Sequence, residues 1–238
     1  MARRMRTVTL AHPNEIDKRG GLAYSLWLPD APLGGGVVIL HGAGSCKENH
    51  HDFGRAAIAA GFAALAFDQR GHGGSAGPMA AGALDDIAAM TDLLRDRMGD
   101  PAAPVALRGS SMGGFLSILA AGRSGARAVI AICPASAAGL RRGLRSGAFT
   151  FDADVDSLER MLSDNDLHDT VRTLEIPVLL LHAEGDEQVP VEHSRELARE
   201  LSAPSSRLIA LPGGHHRSVQ HDPELCAISL RWLAKALR

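Results

Sequence analysis

A serine placed between two glycines is the feature of this sequence with the clearest chemical meaning. The segment 109–113 reads GSSMG, and it lies between a short apolar run and a helical pattern. In a Gly-x-Ser-x-Gly motif the serine occupies a sharp strand-to-helix turn, where the residues two before and two after it crowd together, so glycine fits best at both. Centring the motif on Ser110 would place Arg108 and Met112 at the crowded positions. The spacing therefore predicts Ser111 as a nucleophile.

A second chemical element is a loop of small residues that could bind a developing negative charge. The run 37–40 is short and continuously apolar, as is typical of a strand buried on both faces, and the loop 41–45 follows it as HGAGS. A loop at this place can supply one backbone N–H of an oxyanion hole, and the residue after the nucleophile supplies the other. We predict Ala43 and Met112 as these two donors, with Gly44 as the alternative to Ala43.

The elements that must position these residues alternate between apolar runs and helical patterns. This alternation predicts an α/β protein with a mostly parallel central sheet and helices on both faces, whose site lies beyond the carboxyl ends of the strands. Before them, 7–10 and 22–28 are predicted as β segments of an antiparallel edge, joined by a polar turn over 13–20.

Length, charge and cysteine content limit the remaining classes of function. The 238 residues fit one large domain, 1–238, and the formal net charge of -2 offers no general attraction to nucleic acid. No targeting segment, long apolar span or CxxC spacing is recognisable, so we expect a cytoplasmic protein without a membrane partner, disulfide framework or zinc site. Neither a Rossmann fingerprint nor a P-loop occurs, and we expect no metal and no cofactor. Oligomeric state is left open.

Five segments in this order resemble the α/β-hydrolase superfamily, and within it the small bacterial serine hydrolases of the dienelactone hydrolase-like and esterase-like group. They are HGAGS at 41–45, DQRGHGGS at 68–75, GSSMGG at 109–114, LLLHAEGDEQVP at 179–190 and PGGHHR at 212–217. The resemblance spans about residue 22 to the C-terminus. True dienelactone hydrolases use a cysteine nucleophile where this chain has Ser111, so the dienelactone substrate does not transfer.

The resemblance implies an α/β-hydrolase fold and a serine hydrolase that cleaves a small carboxylic ester through an acyl-enzyme intermediate. A thioesterase or an amidase or peptidase would use the same machinery, and a non-catalytic binding protein of the same fold is the alternative from another class. Nine aromatic residues in the chain favour a modest pocket and short acyl groups.

The same resemblance suggests the other members of a catalytic triad. Asp186 matches the position of the acid, which must hold the tautomer of the histidine and stabilise its charged form, and Glu184 and Glu187 in the same turn are the alternatives. In the family pattern Gly-x-x-His, counting from Gly213 gives His216, whereas a Gly-Gly-His pattern gives His215. We predict His216, with His215 as the competitor and His221 as a more remote third candidate.

Two other polar residues invite a catalytic role, but their place in the chain argues against one. Asp68 and His72 precede Ser111, whereas the order in this fold is nucleophile, acid, histidine. We predict a structural role for both. His41 precedes the glycine of its loop, and we expect it to support that loop by hydrogen bonding.

About 45 residues separate the strand ending near Ile132 from the strand at Val178, which is more than a crossover helix requires. The resemblance implies a small cap or lid at 134–176. Candidate pocket walls in it are Leu140, Leu144, Phe149, Phe151 and Met161. Arginines 141, 142 and 145 either bind an anionic group of the substrate or form a solvated face.

Overall fold

The computed structural model of the chain describes residues 10–30 and 34–238, and its strands form one sheet. In chain order the strands are β1 (Glu15–Arg19), β2 (Leu22–Trp27), β3 (Gly36–Leu40), β4 (Ala63–Phe67), β5 (Val105–Ser110), β6 (Ala128–Ile132), β7 (Val178–Ala183) and β8 (Arg207–Leu211). Their order across the sheet is β1-β2-β4-β3-β5-β6-β7-β8. The pairs β1–β2 and β2–β4 are antiparallel and the rest are parallel, which confirms the predicted mostly parallel sheet.

Helices cover both faces of this sheet, as predicted. They are α1 (His51–Ala59), α2 (Ala83–Met98), α3 (Met112–Ala120), α4 (Ala137–Arg145), α5 (Val155–Asp164), α6 (Leu167–Thr173), α7 (Val191–Glu200) and α8 (Pro223–Ala236), and a short 3-10 helix at Lys47–His50 precedes α1. Alternate residues of each buried strand point to opposite faces. Val38 and Leu40 of β3 accordingly pack in the apolar cluster beneath α2 and α3, while Val37 and Ile39 pack in the cluster beneath α1 and α8. No helix in the described ranges is both long and apolar enough to cross a bilayer.

The amino-terminal edge of the sheet differs from the prediction. Residues 7–9 of the first predicted strand lie outside the described residues, and Leu10 is not in a strand. The segment predicted as a polar turn contains β1, which pairs with β2 through a two-residue turn at Gly20 and Gly21 with φ of 58° and 83°. The prediction failed because β1 is an edge strand with almost all its side chains in solvent, so it has no apolar alternation. Gly-Gly before an apolar run is the hairpin signal that could have located it.

The turn from β5 into α3 has the sharp geometry expected of Gly-x-Ser-x-Gly. Ser111 has φ of 54° and ψ of -117°, a backbone conformation that residues with a side chain rarely adopt. A Cβ atom at Gly109 would lie 2.0 Å from the carbonyl oxygen of Gly113, and one at Gly113 would lie 2.5 Å from that of Leu40. Both glycines are therefore required by backbone contacts.

Hydrogen bonds from the neighbouring strand and helix hold Ser111 in this conformation. Its N–H donates to the carbonyl of Ile132 at 2.8 Å, and its own carbonyl accepts from Phe115 at 3.0 Å and Ala135 at 3.1 Å. These three bonds use both backbone polar groups of the serine, so the strained turn leaves neither unsatisfied.

A buried ion pair joins the loop after β4 to the 3-10 helix after β3. The Asp68 carboxylate is fully buried, and it accepts from the Lys47 ammonium at 2.9 Å, the Lys47 backbone N–H at 2.7 Å and the Gly74 N–H at 2.8 Å. This arrangement supports the structural role predicted for Asp68, because every contact is with the chain that forms the two loops.

The segment between β6 and β7 contains α4, α5 and α6. It is fastened to the loop after β4 by three backbone hydrogen bonds. Met79 N–H donates to the Asp152 carbonyl and Asp154 N–H to the Met79 carbonyl, both at 2.9 Å, and Asp152 N–H donates to the Gly71 carbonyl at 3.2 Å. Arg141 and Arg145 of α4 pair with Glu159 of α5. These two arginines therefore link α4 to α5 within the insertion, the segment 133–177 between β6 and β7.

Lys47→Met should destabilise the fold because it leaves the Asp68 carboxylate buried without a counter-charge. Loss of one partner of a buried pair costs about 3–5 kcal/mol. Urea unfolding measures the free energy, and Arg123→Met is the matched control because the Arg123–Asp85 pair is largely solvent-exposed. Equal stability of the two variants would contradict a structural role for the buried pair.

Gly113→Ala should destabilise the protein by about 1–3 kcal/mol or more, since the added methyl group meets backbone atoms that cannot move aside. Gly122→Ala is the control because a Cβ atom there meets nothing within 4 Å. Thermal unfolding of both variants tests the expectation, and a Gly113→Ala protein as stable as Gly122→Ala would show that the turn tolerates a side chain.

Candidate active site

The three residues predicted as a triad all follow strands of the parallel part of the sheet. Ser111 lies between β5 and α3, Asp186 lies in the turn after β7, and His216 lies in the loop after β8. Carboxyl ends of parallel strands meet at one edge of a sheet, and here that edge is open to a common cavity that both Ser111 and His216 line.

Asp186 is the centre of the polar contacts in this site. Its Oδ2 accepts a hydrogen bond from Nδ1 of His216 at 2.7 Å, and its Oδ1 accepts from the N–H groups of Gln188 at 2.9 Å and Val189 at 3.0 Å. Burial acts to raise the pKa of the Asp186 carboxyl, but the Val189 N–H and the His216 ring outweigh it, and the pKa is lowered. Asp186 is therefore an ionised carboxylate that can only accept hydrogen bonds.

This contact fixes the tautomer of His216. An ionised carboxylate accepts hydrogen bonds, so Nδ1 carries the proton and Nε2 of the neutral ring is left with a free lone pair. His215 is placed differently, because its ring is exposed and its Nδ1 accepts from the Arg217 N–H at 3.3 Å. His221 contacts Asp52 at 2.8 Å on the surface. Of the three candidate histidines, the structure brings only His216 to Asp186.

The loop 41–45 passes directly against the serine turn. A Cβ atom at Gly42 would lie 3.3 Å from Cβ of Ser111, so a larger residue would press on the nucleophile. The Gly44 N–H donates to Nε2 of His72 at 3.1 Å and is thereby engaged. Within the described residues, the N–H groups of Ala43 and Met112 have no protein acceptor. This favours Ala43 over Gly44 as an oxyanion donor.

Two buried histidines fix the shape of that loop. His41 accepts the Gln69 N–H on Nε2 at 3.0 Å, and its Nδ1 contacts the Gly42 carbonyl at 2.8 Å. Burial lowers the pKa of His41 to about 4, so the ring is neutral at physiological pH and can donate from one nitrogen while accepting on the other. His72 likewise contacts the Arg70 carbonyl through Nδ1 and accepts the Gly44 N–H on Nε2, as expected for a structural residue.

Cys133 and His182 also lie beside the acid, and sequence reasoning gave neither a place in the site. Cys133 follows β6 directly with φ of 42°, and its Sγ lies within 4.8 Å of ligand atoms of Asp186 and His216. Burial raises the pKa of this thiol to about 12, so it is neutral and a poor nucleophile. Nε2 of His182 is 3.5 Å from Asp186 but bonds the Val189 carbonyl at 2.9 Å. The sequence feature that could have located both residues is their position near the carboxyl end of a predicted strand.

Arg108 also supports the site, although nothing in the sequence pattern indicated this role. Its guanidinium lies 3.9 Å above the ring of Phe53, and its Nη2 donates to the Gln220 carbonyl at 3.0 Å. Burial lowers its pKa to about 10, which still leaves it charged at neutral pH. Arg108 thus anchors the loop that carries His216 to the strand that carries Ser111.

The cavity has a volume of about 870 Å³ and is bounded by the sheet edge and the α4 region. Its walls combine two members of the candidate triad, Ser111 and His216, with polar and apolar side chains, among them Ser110, Asn49, Leu140, Arg142, Phe149, Gln188, His193, Glu196, Arg217 and Gln220. Of the predicted pocket walls, Leu140 and Phe149 line it. Leu144, Phe151 and Met161 instead surround a separate space of only about 10 Å³. Apolar side chains therefore almost fill the space beneath the insertion.

Parts of this chain match two family models and a protein of Escherichia coli. A family model described as serine aminopeptidase S33 matches residues 32–155, more than half of the 238 residues, and one described as TAP-like protein matches residues 160–231. The uncharacterized protein YfhR of Escherichia coli K12 is 32% identical over 160 residues, which cover 65% of this chain and 53% of YfhR. The chain thus spans about half the length of that relative.

Two further proteins match over most of their length. A monoacylglycerol lipase of Mycolicibacterium smegmatis is 24% identical over 249 residues, covering 85% of this chain and 88% of the lipase. The crystal structure of a monoacylglycerol lipase from Paleococcus ferrophilus superposes with a TM-score of 0.71 at 22% identity, covering 90% of this chain and 99% of that one. The structural match shows that the two proteins share the same fold over 90% of this chain. Together with the family models, these matches show that the chain belongs to the α/β-hydrolase superfamily, in the family described as serine aminopeptidase S33.

Proposed function

We propose that this protein is a serine hydrolase that cleaves a small carboxylic ester with Ser111, His216 and Asp186 as its triad. The observation that carries the proposal is the 2.7 Å contact between Asp186 and His216 beside a cavity that Ser111 also lines. A buried acid, an oriented imidazole and a serine on a strained turn are the parts that activate a weak nucleophile.

The proposed reaction begins with proton transfer from the Ser111 hydroxyl to Nε2 of His216. The serine oxygen attacks the ester carbonyl, and the carbonyl oxygen becomes an anion bound by the N–H groups of Ala43 and Met112. As the tetrahedral intermediate collapses, the ester C–O bond breaks and His216 returns the proton to the departing alkoxide, so an alcohol leaves. A water molecule then attacks the acyl-enzyme through the same base and frees the acid and Ser111.

The choice of an ester is supported by the similar protein of Mycolicibacterium smegmatis, which is named a monoacylglycerol lipase. The family description instead names an aminopeptidase, which makes amide hydrolysis the second candidate, and a thioesterase would use the same groups. Relative kcat/KM on an ester, a thioester and an anilide of one acyl group separates the three. We expect the ester to be fastest.

Ser111→Ala should lower kcat by a factor on the order of 10⁶, because it removes the attacking atom. Its matched control is Ser110→Ala, which deletes a neighbouring hydroxyl of the same cavity and should retain most activity. His216→Ala should be as severe as Ser111→Ala, since members of a triad act as a unit, whereas His215→Ala should lose far less. The assay is kcat/KM on p-nitrophenyl butyrate.

Several outcomes would reverse these assignments. A dead Ser110→Ala enzyme beside an active Ser111→Ala enzyme would move the nucleophile by one residue. Activity in His216→Ala with none in His215→Ala would exchange the histidines, and activity in both would point to His221. Circular dichroism of each variant separates lost chemistry from lost folding.

Acyl chain length should be limited by the apolar side chains under the insertion. The space surrounded by Leu144, Phe151 and Met161 is too small for an acyl chain, and the Phe149 side chain borders both it and the large cavity. The protein should therefore prefer acetate and butyrate esters to octanoate. Phe149→Ala should join the two spaces and raise the octanoate-to-butyrate ratio of kcat/KM by about tenfold. Wild-type preference for octanoate would contradict this limit.

A further inference from the structure

A group of potential metal ligands lies on helices α6 and α7, outside the triad. One ligand atom each from His168, His193 and Glu196 lies within 4.8 Å of the others. His193 and Glu196 are three residues apart on α7, so they share one face of that helix, while His168 belongs to α6. Two imidazoles and a carboxylate form a common donor set for zinc.

The contacts of His168 orient its ring and leave one ring nitrogen available to bind a metal ion. Its Nδ1 contacts Oε2 of Glu200 at 2.9 Å, and Oε1 of Glu200 accepts from Arg172 at 2.9 Å. If the carboxylate accepts the Nδ1–H bond, the lone pair of Nε2 remains available. Metal-binding histidines commonly have this arrangement, because a carboxylate on the far nitrogen orients the ring and increases its basicity.

His193, a member of this group, has a buried ring nitrogen without a hydrogen-bond partner among the described residues. That nitrogen is Nε2. A buried nitrogen without a partner is costly to the fold.

From this geometry we propose that His168, His193 and Glu196 bind a divalent transition-metal ion of the zinc class. The ion would satisfy Nε2 of His193 and join α6 to α7. Because the side chains of His193 and Glu196 also line the large cavity, the fourth coordination position would face that cavity and accept water or an oxygen of a ligand. The proposed site uses no residue of the candidate triad, so its existence does not depend on the proposed hydrolase activity.

A second group of donors, Cys133, Asp186 and His216, must be distinguished from it. An ion bound there would compete with the contact between Asp186 and His216, and its binding would depend on His216. Substitution of His193 should therefore abolish metal binding only at the first site, and substitution of His216 only at the second.

The test is isothermal titration of the full chain with Zn²⁺ after chelator treatment, together with Co²⁺ absorption spectra. The wild type should bind one Zn²⁺ and give the visible bands of tetrahedral Co²⁺. His193→Ala should lose both signals, and Glu200→Gln should weaken binding by about 10–100-fold because it acts only through His168. His216→Ala is the control and should bind Zn²⁺ as the wild type does.

Thermal unfolding of each variant in chelator shows that it folds without metal, and added Zn²⁺ should raise the Tm of the wild type and of His216→Ala but not of His193→Ala. Absence of saturable Zn²⁺ binding by the folded wild type would overturn the proposal. So would binding that survives in His193→Ala, or binding that is lost in His216→Ala.

Discussion

The backbone at Ser111 is held in a conformation that an isolated serine avoids, and the rest of the site is arranged around this constraint. The turn is possible because Gly109 and Gly113 leave room for backbone atoms at distances that no Cβ atom would permit. Strand β6 and helix α3 supply the partners for the serine N–H and carbonyl. The sheet thereby stabilises a local strain that exposes one side chain at the end of β5, on the wall of the cavity.

Buried polar contacts fix the loops that surround this turn. Asp68 and Lys47 hold the loops after β4 and β3 to each other, while His41 and His72 act as neutral hydrogen-bonding bridges inside them. Arg108 links β5 to the loop of His216. Each contact joins segments distant in sequence, so the relative placement of serine, histidine and acid depends on polar groups that are themselves shielded from water. Their substitution should disturb geometry as well as stability.

The sequence was sufficient to predict structure where a local residue pattern has a single physical explanation. Crowding around a serine explains GSSMG, and continuous apolar runs explain the parallel strands, so the fold and the position of Ser111 at a strand end could be predicted. Strand β1 could not be predicted from apolar alternation, because its side chains lie in solvent. The relation of Cys133 to Asp186, the link from Arg108 to Gln220 and the group of His168 and His193 depend on contacts between separate elements. The preference for His216 over His215 came from a count of residues, whereas the structure distinguishes them by their contacts, since His216 bonds Asp186 and His215 bonds the Arg217 N–H.

The central claim is that Ser111 is the nucleophile and that His216 activates it. The most direct measurement is covalent labelling with a fluorophosphonate probe, followed by peptide mass spectrometry of the wild type and of His216→Ala. The account predicts one adduct, on Ser111 of the wild type, and a large loss of labelling rate when His216 is replaced. An adduct on Ser110, or labelling of Ser111 that is equally fast without His216, would contradict it.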